Sequence, residues 1–186
     1  MKTTGIILFA VLCLIQLAVP SKMVFAQEEV LASGHEYRFR TAPVDPYDPF
    51  RGKYVTLDFD AEECKRPATD TWMRGESVYA VLGTDSAGFA IVTSVHKQEP
   101  QEGVDYVTAK VMHVYDDKLM LDYSFNRFYM DENKAPAAEK RYQEANRRSS
   151  PREAYAVVYV KKGEAALKDV MIDGVSLRIL AAQPVE

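Results

Sequence analysis

The chain has little cysteine, histidine or tryptophan: two Cys, three His and one Trp among 186 residues. Cys13 sits in an N-terminal apolar run, so Cys64 is the single thiol of the remainder. One thiol forms no internal disulfide, and neither it nor His35, His96 and His113 shows the spacing of a zinc site. A lone cysteine in an exported domain is more often incidental than nucleophilic. Glycine-rich phosphate cradles are missing, since Gly52, Gly83, Gly88 and Gly103 read as isolated turn residues. No serine stands in a Gly-x-Ser-x-Gly elbow. The sequence thus assigns no catalytic residue, no metal and no cofactor. Positive charge is also short, with 23 Lys and Arg against 27 Asp and Glu. Residues 1–26 hold two of the lysines and no acid, leaving −6 on the rest. That sign argues against a nucleic-acid partner, because such binding rests on neutralising phosphates.

Long apolar runs are limited to one, Ile6–Val19, with Lys2 before it. Its 14 residues fall short of the about 20 that cross a bilayer. Continuing through Phe25 reaches that length and places Lys22 near the outer interface, where its ammonium can snorkel to water. Val24-Phe25-Ala26 before Gln27 also has the pattern of a signal-peptidase site. Residues 1–26 therefore read as a membrane anchor or a signal peptide. Residues 27–186 read as a single domain of about 160 residues, enough to bury a sizeable core. Lys2 marks the inner side, which puts the domain outside the cytoplasm. The expected location is the cell envelope, with the domain membrane-anchored, or secreted or periplasmic after cleavage at Ala26–Gln27.

The remainder alternates with period two and predicts an α+β domain, mainly antiparallel sheet with about nine short strands. Gln27–Gly34 reads as a polar stalk. Strands are predicted over 36–41 and 54–59, then as hairpins over 77–83 with 89–96 and 106–115 with 118–125. Leu119, Leu121, Tyr123 and Phe125 should face inward, and Trp72 should pin the charged connection 60–75 to the core. One helix is predicted over 133–148, capped by Asn133, with Ala138, Tyr142 and Ala145 on its inner face. Strands over 155–160, 165–172 and 175–180 should follow it.

The most specific stretch is Thr41–Phe59. Pro43, Pro46 and Pro49 hold the residues before them extended, which stiffens a loop carrying Asp45, Asp48 and Arg51 ahead of the Gly52 turn. Asp45 and Asp48 suit a clamp with Arg51, a calcium site with Asp58 or Asp60, or acid/base work. With Tyr54, which opens the next strand, these are the candidate binding residues. The run Gly52-Lys53-Tyr54-Val55-Thr56-Leu57-Asp58-Phe59 resembles the motif that names the GDYXXLXY family. Gly52, Tyr54 and Leu57 match it; Lys53 stands for its Asp and Phe59 for its last Tyr. The upstream Thr-Ala-Pro-Val-Asp-Pro-x-Asp-Pro-Phe-Arg segment is similar to the family's lead-in, and the likeness runs from about Tyr37 to Leu177. The resemblance implies a bacterial protein that keeps one N-terminal membrane segment and has a multi-pass membrane protein as its partner. It transfers no catalytic residue.

Three functions follow as expectations, one of them a purely structural spacer, favoured where no concave site exists. The first is a noncatalytic envelope module, tethered or exported, that binds a membrane-protein partner through the Pro-Asp loop and nearby surface. The second is a hydrolase of an envelope polymer using a carboxylate pair, Asp45 with Asp48 or Glu62 with Glu63. The aromatic run Tyr123, Phe125, Phe128, Tyr129 reads as core plus rim, or as a platform for a partner or a sugar.

Overall fold

A computed structural model describes residues 2–42, 54–67, 71–146 and 152–183. Helix α1, Lys2–Ser33, runs without interruption through Pro20 and out of the apolar segment. It is followed by β1 (His35–Ala42), β2 (Tyr54–Thr56), β3 (Asp58–Phe59), a 3-10 turn (Asp60–Glu62) and β4 (Glu63–Lys65). Next come β5 (Ser77–Thr84), β6 (Ala90–His96), β7 (Tyr106–Val114), β8 (Lys118–Tyr123) and β9 (Arg127–Tyr129). Helix α2 (Ala135–Ala145) precedes β10 (Ala154–Lys161), β11 (Glu164–Ile172), β12 (Val175–Ser176) and the one-turn α3 (Leu177–Leu180). The strands form two five-stranded sheets, β12-β11-β10-β1-β3 and β4-β8-β7-β5-β6, and a ribbon of β2 with β9. Every pairing between these strands is antiparallel, so the fold is α+β and mainly antiparallel sheet.

The alternation of the sequence becomes the core. In the central strand β10, Ala154, Ala156, Val158 and Val160 are buried, and in β5 Val78, Ala80 and Leu82 are. Leu119, Leu121, Tyr123 and Phe125 face inward as the spacing predicts. Phe39, Phe59, Tyr123 and Phe125 form one aromatic cluster. The Phe39 and Phe125 rings meet edge to face at 5.0 Å, and Tyr123 stacks on Phe125 at 5.0 Å. Such pairs contribute about 0.5–1.5 kcal/mol each beyond their burial. The Tyr123 hydroxyl donates to Ala61 O at 2.7 Å, which satisfies the one polar group of the cluster. Trp72 is buried and donates its indole N–H to Pro67 O at 3.1 Å, holding the connection down as expected.

Val55, Leu57 and Phe59 are all buried, but the predicted single strand over 54–59 is two strands. β2 pairs with β9, β3 pairs with β1, and between them the N–H of Leu57 bonds Asn126 O at 2.9 Å. One alternating run thus serves two sheets, and fully buried Leu57 is the point of transfer.

Three further expectations need correction. The segment 27–34 is not a stalk: it is the end of α1, laid against β10 and β11. Val30 is buried there, and Lys161 bonds Glu29 at 2.7 Å and Ser33 Oγ at 2.8 Å. Gly34 permits the approach, since a Cβ there would lie 2.6 Å from Val30 O and 3.0 Å from Val160 O. Helix α2 is shorter than 133–148, and Asn133 does not cap it. Asp131 does the work instead, its carboxylate accepting from Asn133 N at 2.9 Å and its carbonyl from Lys134 and Ala135 N. The inner stripe Ala138, Tyr142, Ala145 is as predicted. Finally, 175–180 is not one strand. Ser176 Oγ accepts from Arg178 N at 3.2 Å and starts α3, whose buried face is Leu177 with Ala181.

Candidate binding surface

Among the predicted binding residues, Asp45, Asp48 and Arg51 lie outside the described residues. Tyr54, the first described residue after them, is half-buried and pairs in register with Tyr129 across the β2–β9 ribbon. Their rings lie 5.5 Å apart at 57°, and the Arg127 guanidinium lies 5.3 Å from the Tyr54 centroid. Alternation on β9 explains the arrangement. Phe128 points into the core, where Arg178 covers its outer face at 4.4 Å, and its two neighbours therefore point out. Tyr129 is 59% exposed. The aromatic run thus divides into core (Tyr123, Phe125, Phe128) and rim (Tyr129). Two tyrosines and an arginine on one surface form the composition that dominates interface energetics. The sequence offered Tyr129 only as part of a run; its pairing with Tyr54, 75 positions away, has no local signal.

The acidic residues around the 3-10 turn divide into two groups, Glu62 near Asp58 and Asp122, and Asp60 with Glu63 and Asp85 along a surface cleft. Glu62 is buried, and its carboxyl is pushed up to about 8 by that burial and then by Asp58 and Asp122. Glu63, one residue on, is exposed and pairs with Lys118 at 2.5 Å. The two side chains leave opposite sides of the chain, one buried and one exposed. Asp60 is raised by burial, with Arg40 pulling the other way. Among the described residues no group of three His, Cys, Asp or Glu is placed to hold a metal ion. His96 contacts Ser94 at 2.8 Å, and His113 lies against the Tyr115 ring. The Cys64 thiol is pushed up to about 11 by burial and by Glu63, which disfavours the thiolate a nucleophile needs.

A serine and a lysine do meet, Ser33 and Lys161, but this contact has the electrostatics of a clamp. Lys161 holds the Glu29 carboxyl below its usual range through a 2.7 Å ion pair, and the same ammonium bonds Ser33 Oγ at 2.8 Å.

Helix α1 has an 18-residue stretch of mean hydropathy 2.2, long and apolar enough to cross a membrane, a property shared by anchors and signal peptides. A family model, described as that of the GDYXXLXY protein, matches residues 16–170. The match begins inside the apolar segment, earlier than Tyr37, and ends at Val170. No curated protein and no solved structure matches the chain.

Proposed function

The chain belongs to the GDYXXLXY family, and from that premise we propose a noncatalytic envelope protein that binds an integral membrane partner. α1 anchors it, the domain lies outside the cytoplasm, and the partner docks on Tyr54, Arg127 and Tyr129 together with the Pro-Asp loop that leads into Tyr54. The observation that carries this reading is the pairing of half-buried Tyr54 with exposed Tyr129, with Arg127 beside them. Aromatic side chains spend little conformational entropy for the area they offer, and together with arginine they are enriched among interface anchors. Retention of α1 is supported by the family match, which takes in the apolar residues from Gln16 onward.

A photo-crosslinking residue placed at Tyr129 in intact cells tests the site. The expected product is one discrete adduct with a multi-pass membrane protein, diminished by Arg127→Ala. The same probe at Lys168, on the exposed face of β11, should give none. Equal, diffuse labelling from both positions would overturn the binding reading. A C-terminal alkaline phosphatase fusion should be active; an inactive fusion with an active cytoplasmic reporter ends the envelope assignment.

A further inference from the structure

The foot of the domain, where α1 meets the sheets, holds a cleft of about 530 Å³. One wall is the start of β1 and the β10–β11 turn, with His35, Lys161 and Lys162; the other is the β6–β7 connection, with Glu99, Glu102 and Asp105. Most of these charges already have partners. Asp105 accepts from the Tyr37 hydroxyl at 2.9 Å and meets His35 Nδ1 at 2.6 Å. Glu99 accepts from the Tyr106 hydroxyl, and Lys161 is taken by Glu29 and Ser33. Lys162 and Glu102 form no ion pair among the described residues. The cleft therefore presents one available ammonium on one wall and one available carboxylate on the other.

The turn that carries Lys162 is built to stay where it is. Lys162 and Gly163 both have positive φ, 49° and 82°, as a two-residue hairpin turn requires. Gly163 lies so close to β7 that a Cβ would be 2.6 Å from the Tyr106 ring, and its carbonyl accepts from Thr108 N at 2.9 Å. A lysine occupies a left-handed position where asparagine or glycine is the ordinary choice.

The height of the cleft above a bilayer follows from α1. Exposed apolar side chains continue along it to Met23, Val24 and Phe25, with Lys22 among them near the outer interface. With Ile6–Phe25 filling a hydrocarbon layer of about 30 Å, Glu29 stands about 6 Å beyond it, at 1.5 Å per residue. The polar headgroup zone is about 5–7 Å deep on each side. Lys161 reaches Glu29, and Lys162 is close enough to Glu29 to favour its ionised form, so both lysines belong to that zone.

We propose that this cleft binds the headgroup of a zwitterionic aminophospholipid, a phosphoethanolamine group, with Lys162 on the phosphate and Glu102 on the primary ammonium. The inference rests on α1 being a retained anchor. A choline headgroup satisfies only half of the site, because its quaternary nitrogen has no N–H to donate. A glycerol headgroup brings a phosphate but no cation, and leaves Glu102 without a partner.

The test uses the full chain in nanodiscs of equal phosphatidylethanolamine, phosphatidylcholine and phosphatidylglycerol. Native mass spectrometry reads both the lipid that stays bound and the mass of the chain. Phosphatidylethanolamine should be enriched about fivefold over each of the others, the scale of a solvent-exposed charge pair. Lys162→Asn and Glu102→Gln should each bring the ratio near one. Lys162→Asn suits the left-handed backbone, and unchanged circular dichroism shows that the fold is kept. Equal retention of the three lipids, equal enrichment of phosphatidylglycerol, or enrichment that survives both substitutions overturns the headgroup site. If that happens with α1 present in the measured mass, the anchor reading stands and only this inference fails. A mass that begins at Gln27 removes both.

Discussion

Glu62 gives the domain a pH dependence opposite to that of an ordinary salt-bridged carboxylate. Its carboxyl titrates at 4.5 when unfolded and at about 8 when folded, because burial and the Asp58 and Asp122 charges penalise the anion; a hydrogen bond from the Phe59 backbone offsets only part of this. Below pH 4.5 both states carry the proton and Glu62 costs nothing. Between 4.5 and about 8 only the folded state carries it, so stability falls with rising pH by about 1.4 kcal/mol per unit. Above that window the loss is complete and constant. At pH 7 the accumulated loss is roughly 3 kcal/mol, a large part of the stability of a domain this size. Glu62→Gln keeps the shape and the acceptor without the charge. It should match the wild type at pH 4.5 and melt about 6–12 °C higher at pH 7, at 2–4 °C per kcal/mol. Thermal melts of both proteins by circular dichroism, at half-unit steps from pH 4.5 to 8.5, make the comparison. Parallel pH profiles for the two proteins would refute the claim that a buried, neutral acid occupies this position.

Gly34→Ala pushes a Cβ against the Val30 and Val160 carbonyls, which as backbone cannot swing aside. It should cost roughly 1–3 kcal/mol and open the 27–34 segment to protease; undiminished protection would contradict the docked helix end. Cys64, in a Cys13→Ser background, should resist iodoacetamide at pH 8, where a thiol of pKa about 11 is about one part in a thousand thiolate. Labelling at the rate of a free peptide thiol would contradict its burial. Arg127→Ala should shift the melting temperature little, since its guanidinium lies on the surface, and should lower partner crosslinking at Tyr129. A large loss of stability in that variant would make Arg127 structural instead.

Period-two alternation was a sufficient guide to β1, β5, β6, β7, β8, β10 and β11, because each exposes one face to water and buries the other. It failed where an element is too short to show a period. β4 and β9 have three residues each, and only Cys64 and Phe128 respectively are buried. At 175–180 the apolar residues fit a strand as well as a helix turn, and the Ser176 cap decided between them. The helical state of 27–33 could not be read locally, because its support comes from Lys161, 132 positions from Glu29. The Pro-Asp loop was the most conspicuous feature of the sequence, and its three charged candidates remain outside the described residues. What the structure adds beside it is Tyr129 and Arg127, brought to Tyr54 by a strand pairing that no spacing announces.

Because α1 enters the domain as an unbroken helix clamped by Glu29, Val30 and Ser33, the domain cannot turn about it as on a swivel. With α1 retained as an anchor, as proposed above, each face of the helix inside the bilayer is phased to one face of the domain outside. A partner that packs against the transmembrane side and also meets Tyr129 must satisfy a single azimuth. One residue inserted between Lys22 and Gln27 rotates that azimuth by about 100° and lifts the domain about 1.5 Å. Seven residues, close to two full turns, restore the angle while adding about 10 Å of height. The chain therefore couples bearing and elevation like a thread, and an insertion series through this segment separates the two.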